Sequence, residues 1–304
     1  MKVTRKRMMI VGLIVVAALV GLQVVGAVIA SAFILHPRRW SLARAAEHHG
    51  HATPADFRRP FADMQVTSGD VTIRGWLVRA NPPSERAVIL VHGIADNRVS
   101  MLPYLPVLEP LDVNVALIDV RAHGESGGRT LTYGVRERRD VSAVIDWLIE
   151  RRLARPGAVG LIGQSLGGAI VLQAAADDDR VGAVVTDGAF ASLRTAIRRE
   201  AARMFPPGVL VMHSGIWLAE RQAGFSVRDA SPQYAADRIR CPVLLIHGDA
   251  DSIIPVEQAR VLDDAITADH ELWIVPQGGH CDTLDVDEAA YTQRVRTFLA
   301  EHLR

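Results

Sequence analysis

The sequence predicts an α/β chain: a doubly wound, mostly parallel sheet of about eight strands, with a small cap inserted late and an apolar membrane span in front. Three observations predict it. Short continuous apolar runs recur along the chain, as strands covered on both faces require. Segments with helical period separate those runs, and such alternation builds parallel sheets flanked by helices. One run, residues 158–162, feeds straight into Gly163-Gln164-Ser165-Leu166-Gly167 and then an Ala/Val/Leu-rich helix. That strand, sharp turn and helix is the setting in which a Gly-x-Ser-x-Gly turn exposes its serine as a nucleophile.

Taken in order, the chain opens on a basic stretch, residues 1–7, followed by residues 8–35, which contain no charged side chain. At ~1.5 Å per residue that segment exceeds a hydrocarbon core of about 30 Å, so it reads as a single-pass transmembrane anchor. Lys2, Arg5, Lys6 and Arg7 precede it and favour a cytoplasmic N-terminus with the remaining chain extracytoplasmic; Arg38, Arg39 and Arg44 on the far side oppose that orientation. A cleaved signal peptide is the rival, because Ala30-Ser31-Ala32 has the form of a cleavage site, but the apolar run continues past it. Residues 36–60 have no sustained period and read as a linker, in which His48, His49 and His51 have no carboxylate or thiol at metal-ligand spacing and are expected to be solvated.

Residues 64–68 and 71–79 alternate around Gly69-Asp70 and predict a β-hairpin at one edge of the sheet. The apolar runs then fall at 87–91, 113–118, 158–162, 181–185, 243–246 and 272–275, with helices expected at 99–108, 135–153, 165–176, 256–266 and 288–303. Residues 190–232 break the rhythm. Rich in arginine and aromatics, and holding Met204-Phe205-Pro206-Pro207 and His213-Ser214-Gly215-Ile216-Trp217, they read as a cap over the carboxyl end of the sheet. The folded α/β domain expected from these elements covers residues 61–304.

Ligands of open α/β sheets gather beyond the carboxyl ends of strands, so the residues following each run carry the chemistry. After 158–162 stands Ser165. After 243–246 come Asp249 and Asp251, either of which could accept a hydrogen bond from a histidine. After 272–275 comes Gly278-Gly279-His280, and after 87–91 comes His92-Gly93-Ile94. A serine hydroxyl is nearly inert near neutral pH and needs a base such as histidine, which in turn needs a carboxylate to fix its tautomer. The backbone N–H groups of Ile94 and Leu166 are placed to hold an oxyanion. His92 reads as a structural residue of its loop. The chemistry calls for no metal or organic cofactor.

These residues, together with Asn97-Arg98, the stretch Asp119-Val120-Arg121-Ala122-His123-Gly124-Glu125-Ser126, Tyr133-Gly134, Glu137 and Asp140, resemble the α/β-hydrolases over about four-fifths of the chain, and in particular the membrane-tethered ABHD-type and serine aminopeptidase-like branches. The resemblance implies the α/β-hydrolase fold, a structural role for the loop at 119–126, and Asp251 in preference to Asp249 as the acid. It implies a triad of Ser165, Asp251 and His280. The expected activity is hydrolysis of an ester, thioester or amide acyl bond, a carboxylesterase or lipase-like enzyme first, a peptidase second and a silent binding protein third. A haloalkane dehalogenase is disfavoured, since that reaction needs a carboxylate nucleophile. The expected partners are an acyl substrate, small or lipid, and the membrane through the N-terminal helix. Lys and Arg total 34 against 34 Asp and Glu, which leaves no basic excess for nucleic acid. Cys241 and Cys281 are expected about a strand length apart, too far for a disulfide.

Overall fold

A computed structural model describes residues 2–204 and 209–303. Eight strands form one sheet: β1 (Phe61–Ser68), β2 (Val71–Val78), β3 (Ala87–Val91), β4 (Asn114–Ile118), β5 (Val159–Gln164), β6 (Val181–Asp187), β7 (Val243–Gly248) and β8 (His270–Val275). Their spatial order is β1-β2-β4-β3-β5-β6-β7-β8. The hairpin β1/β2 is antiparallel, as is β2 against β4, and every other pair is parallel.

The helices are α1 (Lys2–Leu35), α2 (Leu42–His49), α3 (Tyr104–Leu108), α4 (Glu137–Glu150), α5 (Leu166–Asp177), α6 (Leu193–Met204), α7 (Val209–Ala223), α8 (Glu257–Ala265), α9 (Thr283–Val286) and α10 (Glu288–His302). The continuous apolar strands are explained by two cores. Ile89 and Val91 of β3 face one core, with Val141, Val144 and Ile145 of α4 and Ile170 of α5; Val88 and Leu90 face the other, with Leu105 of α3 and Val295 and Leu299 of α10. Each such side chain contributes about 1.5–3 kcal/mol by burial, and a strand flanked by two cores has no solvent side on which to place a polar residue.

Two expectations need correction. The helix expected at 99–108 is a 3-10 turn, Arg98–Met101, followed by the short α3, because Pro103 and Pro106 lack the N–H groups that a continuous helix would use. Residues 36–60 are packed structure. Within them α2 is capped by the Ser41 side chain, which accepts from the Arg44 N–H, and is stopped by Gly50 in the left-handed region. Ala45 is wholly buried, and the Asn97 side-chain amide donates to the carbonyls of Trp40 and Ser41, 3.3 Å each. His48, His49 and His51 form a chain of ring contacts from Trp40 to Phe57.

The insertion at 190–232 holds α6 and α7, while Phe205, Pro206 and Pro207 lie outside the described residues. Its second helix, α7, packs along the C-terminal half of α1. Gln23 Nε2 donates to Ser214 Oγ (2.7 Å) and Ser31 Oγ to Gln222 Oε1 (2.5 Å). Beyond α7, the end of α1 runs directly into the domain: Leu131 N–H donates to the Leu35 carbonyl and the Tyr133 hydroxyl to that of Ile34, both at 2.9 Å.

Candidate active site

The turn after β5 is held by steric necessity. A β-carbon on Gly163 would stand 2.3 Å from the Gly167 carbonyl oxygen, and one on Gly167 would stand 2.1 Å from the Val91 oxygen, so neither position accepts a side chain. Between them Ser165 adopts φ 51° and ψ −113°, a conformation costly for any residue but glycine. Its own N–H donates to the Asp187 carbonyl at the end of β6 (2.8 Å), and its carbonyl accepts from Ala169 of α5 (3.1 Å). The strained serine is therefore pinned by a strand on one side and a helix on the other.

Three strand ends bring the expected residues together. His280 Nε2 lies 2.9 Å from Ser165 Oγ, and His280 Nδ1 lies 2.7 Å from Asp251 Oδ2. Burial of Asp251 works to raise its pKa, but the bond from His280 and the N–H groups of Ile253 and Ile254 on Oδ1 (2.8 Å each) outweigh it and hold the carboxyl below its ordinary value. Asp251 is thus an ionised acceptor aimed at the imidazole. Asp249 is exposed and takes the Gln277 N–H instead (2.6 Å), so the geometry separates the two candidate acids.

Ile94 follows Gly93 in the loop after β3, where a β-carbon on Gly93 would meet Ser165 Cβ at 3.5 Å; Leu166 is the first residue of α5. His92 is wholly buried. Its Nδ1–H donates to the Gly93 carbonyl (2.7 Å) and its Nε2 accepts from the Val120 N–H (2.9 Å), while burial pushes its pKa down to about 4. It ties the β3 loop to the end of β4 as a neutral ring. The loop at 119–126 is equally structural: Asp119 receives the Arg98 guanidinium (2.6 Å) and the N–H groups of Arg98 and Glu125, while Arg121 makes two 2.6 Å bonds to Asp140. Over the rim, Arg199 of α6 reaches the Ser252 carbonyl (3.4 Å) beside Asp251.

Two neighbours, Asp187 and Asp96, were not anticipated. Asp187 is completely buried below the serine; burial raises its pKa to about 7, and Thr283 Oγ1 donates to its Oδ2 (2.6 Å). The signal was present, since an acid two residues beyond the run 181–185 sits at a strand's carboxyl end. Asp96, in the same loop as Ile94, bonds His49 Nε2 of α2 at 2.9 Å. Both cysteines are free; burial puts the Cys281 thiol well above its usual pKa, with Sγ 3.4 Å from the Asp187 carbonyl.

The alpha/beta hydrolase fold family matches residues 86–205, and the protein YqkD of Bacillus subtilis (strain 168) is 30% identical over 231 residues, 75% of this chain and 75% of its own. The chain belongs to the α/β-hydrolase family. Among further relatives of this α/β-hydrolase, bem46 of Schizosaccharomyces pombe (strain 972 / ATCC 24843) is 26% identical over 257 residues, 82% of this chain and 80% of its own. The structure is similar to that of the Pyrococcus furiosus esterase Pf2001, with a TM-score of 0.70 at 26% identity, covering 88% of this α/β-hydrolase and 100% of the esterase.

Proposed function

We propose that the chain is a membrane-anchored serine hydrolase of carboxylesterase or lipase-like activity, acting through an acyl-enzyme. The observation that carries this reading is the unbroken contact chain from Ser165 Oγ through His280 to Asp251. Ser165 Oγ attacks the acyl carbon while its proton passes to His280 Nε2. The carbonyl oxygen becomes an oxyanion, held by the N–H groups of Ile94 and Leu166, the latter at the positive end of α5. The bond to the leaving alcohol breaks as His280 returns the proton to it. Water, deprotonated by the same imidazole, then releases the acid and restores the hydroxyl. Asp251 keeps the Nδ1–H tautomer in place and stabilises the imidazolium.

The likeness to an esterase of known structure favours an ester substrate. Retention of α1 as an anchor is supported by its packing: cleavage after Ala32 would strip Ala27, Ala30 and Ser31, all buried, from the cap. The basic residues preceding α1 favour an extracytoplasmic domain. The test is labelling by a fluorophosphonate and turnover of a short p-nitrophenyl ester. Ser165→Ala should abolish both, and Asp251→Asn should lower kcat by roughly 10³–10⁴-fold with the fold intact. A folded wild-type protein inert to both reagents would refute the reading.

A further inference from the structure

We infer that α7 is a second membrane-contacting element: it lies against the outer half of the anchor with its exposed face in the lipid interface, and so sets the rim of the active site at the surface of the bilayer. The inference rests on the reading of α1 as a membrane anchor.

Length is the first argument. Residues 8–22 of α1 are exposed throughout, but at ~1.5 Å per residue they reach only about 22 Å, short of a hydrocarbon core of about 30 Å. A span beginning after Arg7 needs roughly 20 residues and ends near Ala27. That level is already inside the contact with α7. A β-carbon on Gly26 would stand 2.7 Å from Val211 Cγ1, and one on Gly215 would stand 2.5 Å from Ala30 Cβ. Four residues along α1 therefore correspond to four along α7, so the two helices run parallel and in step, with the start of α7 deepest. Small residues permit this approach, as they do between helices in membranes.

The exposed face of α7 is the second argument. Leu210, His213, Trp217 and Arg221 are its exposed positions on one stripe, while Met212, Gly215, Ile216 and Ala219 are buried behind them. Leu210 is 79% and Trp217 57% exposed. In register with α1, Leu210 stands between the levels of Leu19 and Val25, within the apolar layer, and Trp217 lies about 10 Å further out, where the headgroups begin and tryptophan is enriched. Arg221, its guanidinium 5.2 Å from the Trp217 ring centroid, is placed for lipid phosphates. Apolar, aromatic, then cationic is the order in which a helix leaves a bilayer. Val28, Ile29 and Phe33 of α1 are exposed at the levels that α7 spans.

The full chain, reconstituted in phosphatidylcholine/phosphatidylglycerol vesicles, tests this with an environment-sensitive fluorophore on Leu210→Cys, Val16→Cys or Asp179→Cys and lipids carrying nitroxides at the headgroup, near the carbonyls or near the chain ends; wild type taken through the same labelling is the blank. Val16 should be quenched most by the chain-end nitroxide, Leu210 most by the carbonyl-level one, and Asp179 by neither. Quenching at Val16 with Leu210 as dark to the lipids as Asp179 overturns the inference and leaves the anchor standing. Loss of quenching at Val16 overturns the anchor and the inference together. As a second readout, resting on the hydrolase reading, the pair Leu210→Glu and Trp217→Glu should lower turnover of a long-chain p-nitrophenyl ester dissolved in the vesicles several-fold relative to the short ester in solution; an unchanged ratio overturns the inference.

Discussion

Asp187 is a buried acid whose protonation opposes that of two buried histidines, His92 and His123. His92 and His123 are buried neutral, with burial as the leading cause of pKa values near 4 and 3 against an ordinary 6.5, while Asp187 is pushed by burial from 3.8 to about 7. Between pH ~4 and ~6.5 the unfolded chain carries two protons on these histidines that the folded chain lacks. The folded chain carries one on Asp187 that the unfolded chain lacks. Of these three groups the unfolded state holds one more proton than the fold, which contributes a rise of stability with pH of about 1.4 kcal/mol per unit across that window. Asp187→Asn removes the opposing group, so the slope should steepen by about 1.4 kcal/mol per pH unit, a change readable in unfolding midpoints taken along the pH series. An unchanged slope would mean that Asp187 ionises in the fold. The site was legible to different degrees at this scale. Ser165, His280 and the pair Asp249/Asp251 each follow an apolar run, which puts them at strand ends; the runs alone leave the acid open, the family resemblance favours Asp251, and it is Asp249 that is exposed and bonded to the Gln277 N–H. Asp187 escaped because a buried acid without a cation beside it leaves no mark in sequence but its position.

At the scale of elements, α2 and the β3 loop act as one unit. His49 bonds Asp96, and Asn97 bonds the chain entering α2, so the loop that carries the Ile94 N–H is clamped from outside the sheet. His49→Ala should release it and lower kcat by roughly ten- to a hundredfold with little change in KM, because a donor that meets only the oxyanion is displaced; equal loss in both constants would point to a binding defect instead. The clamp was hidden. Eight residues with one buried alanine give no readable period, although the Ser41 cap and the Gly50 stop were both in view. By contrast, the strand runs were legible because a strand between two cores must be apolar at every position. The pairing of α7 with α1 was not, since it depends on small residues nearly two hundred positions apart whose spacing is only meaningful once the helices are side by side.

For the whole molecule, the decisive junction is where α1 meets the sheet domain. Its last turn gives two carbonyls to Leu131 and Tyr133, buries Ile34 and Leu35 in the main core, and leaves no flexible tether between the span and the fold. An over-long span in a thin bilayer answers by tilting. With α1 as the proposed anchor, the tilt has nothing to absorb it, so the globular part must lean with the helix, carrying the mouth of the site towards or away from the lipids. Lipid chain length thereby becomes a dial on turnover: in vesicles of graded acyl length, hydrolysis of a lipid-borne ester should change while that of a soluble ester stays level. Inserting a run of glycine and serine between Leu35 and Trp40 should flatten that dependence.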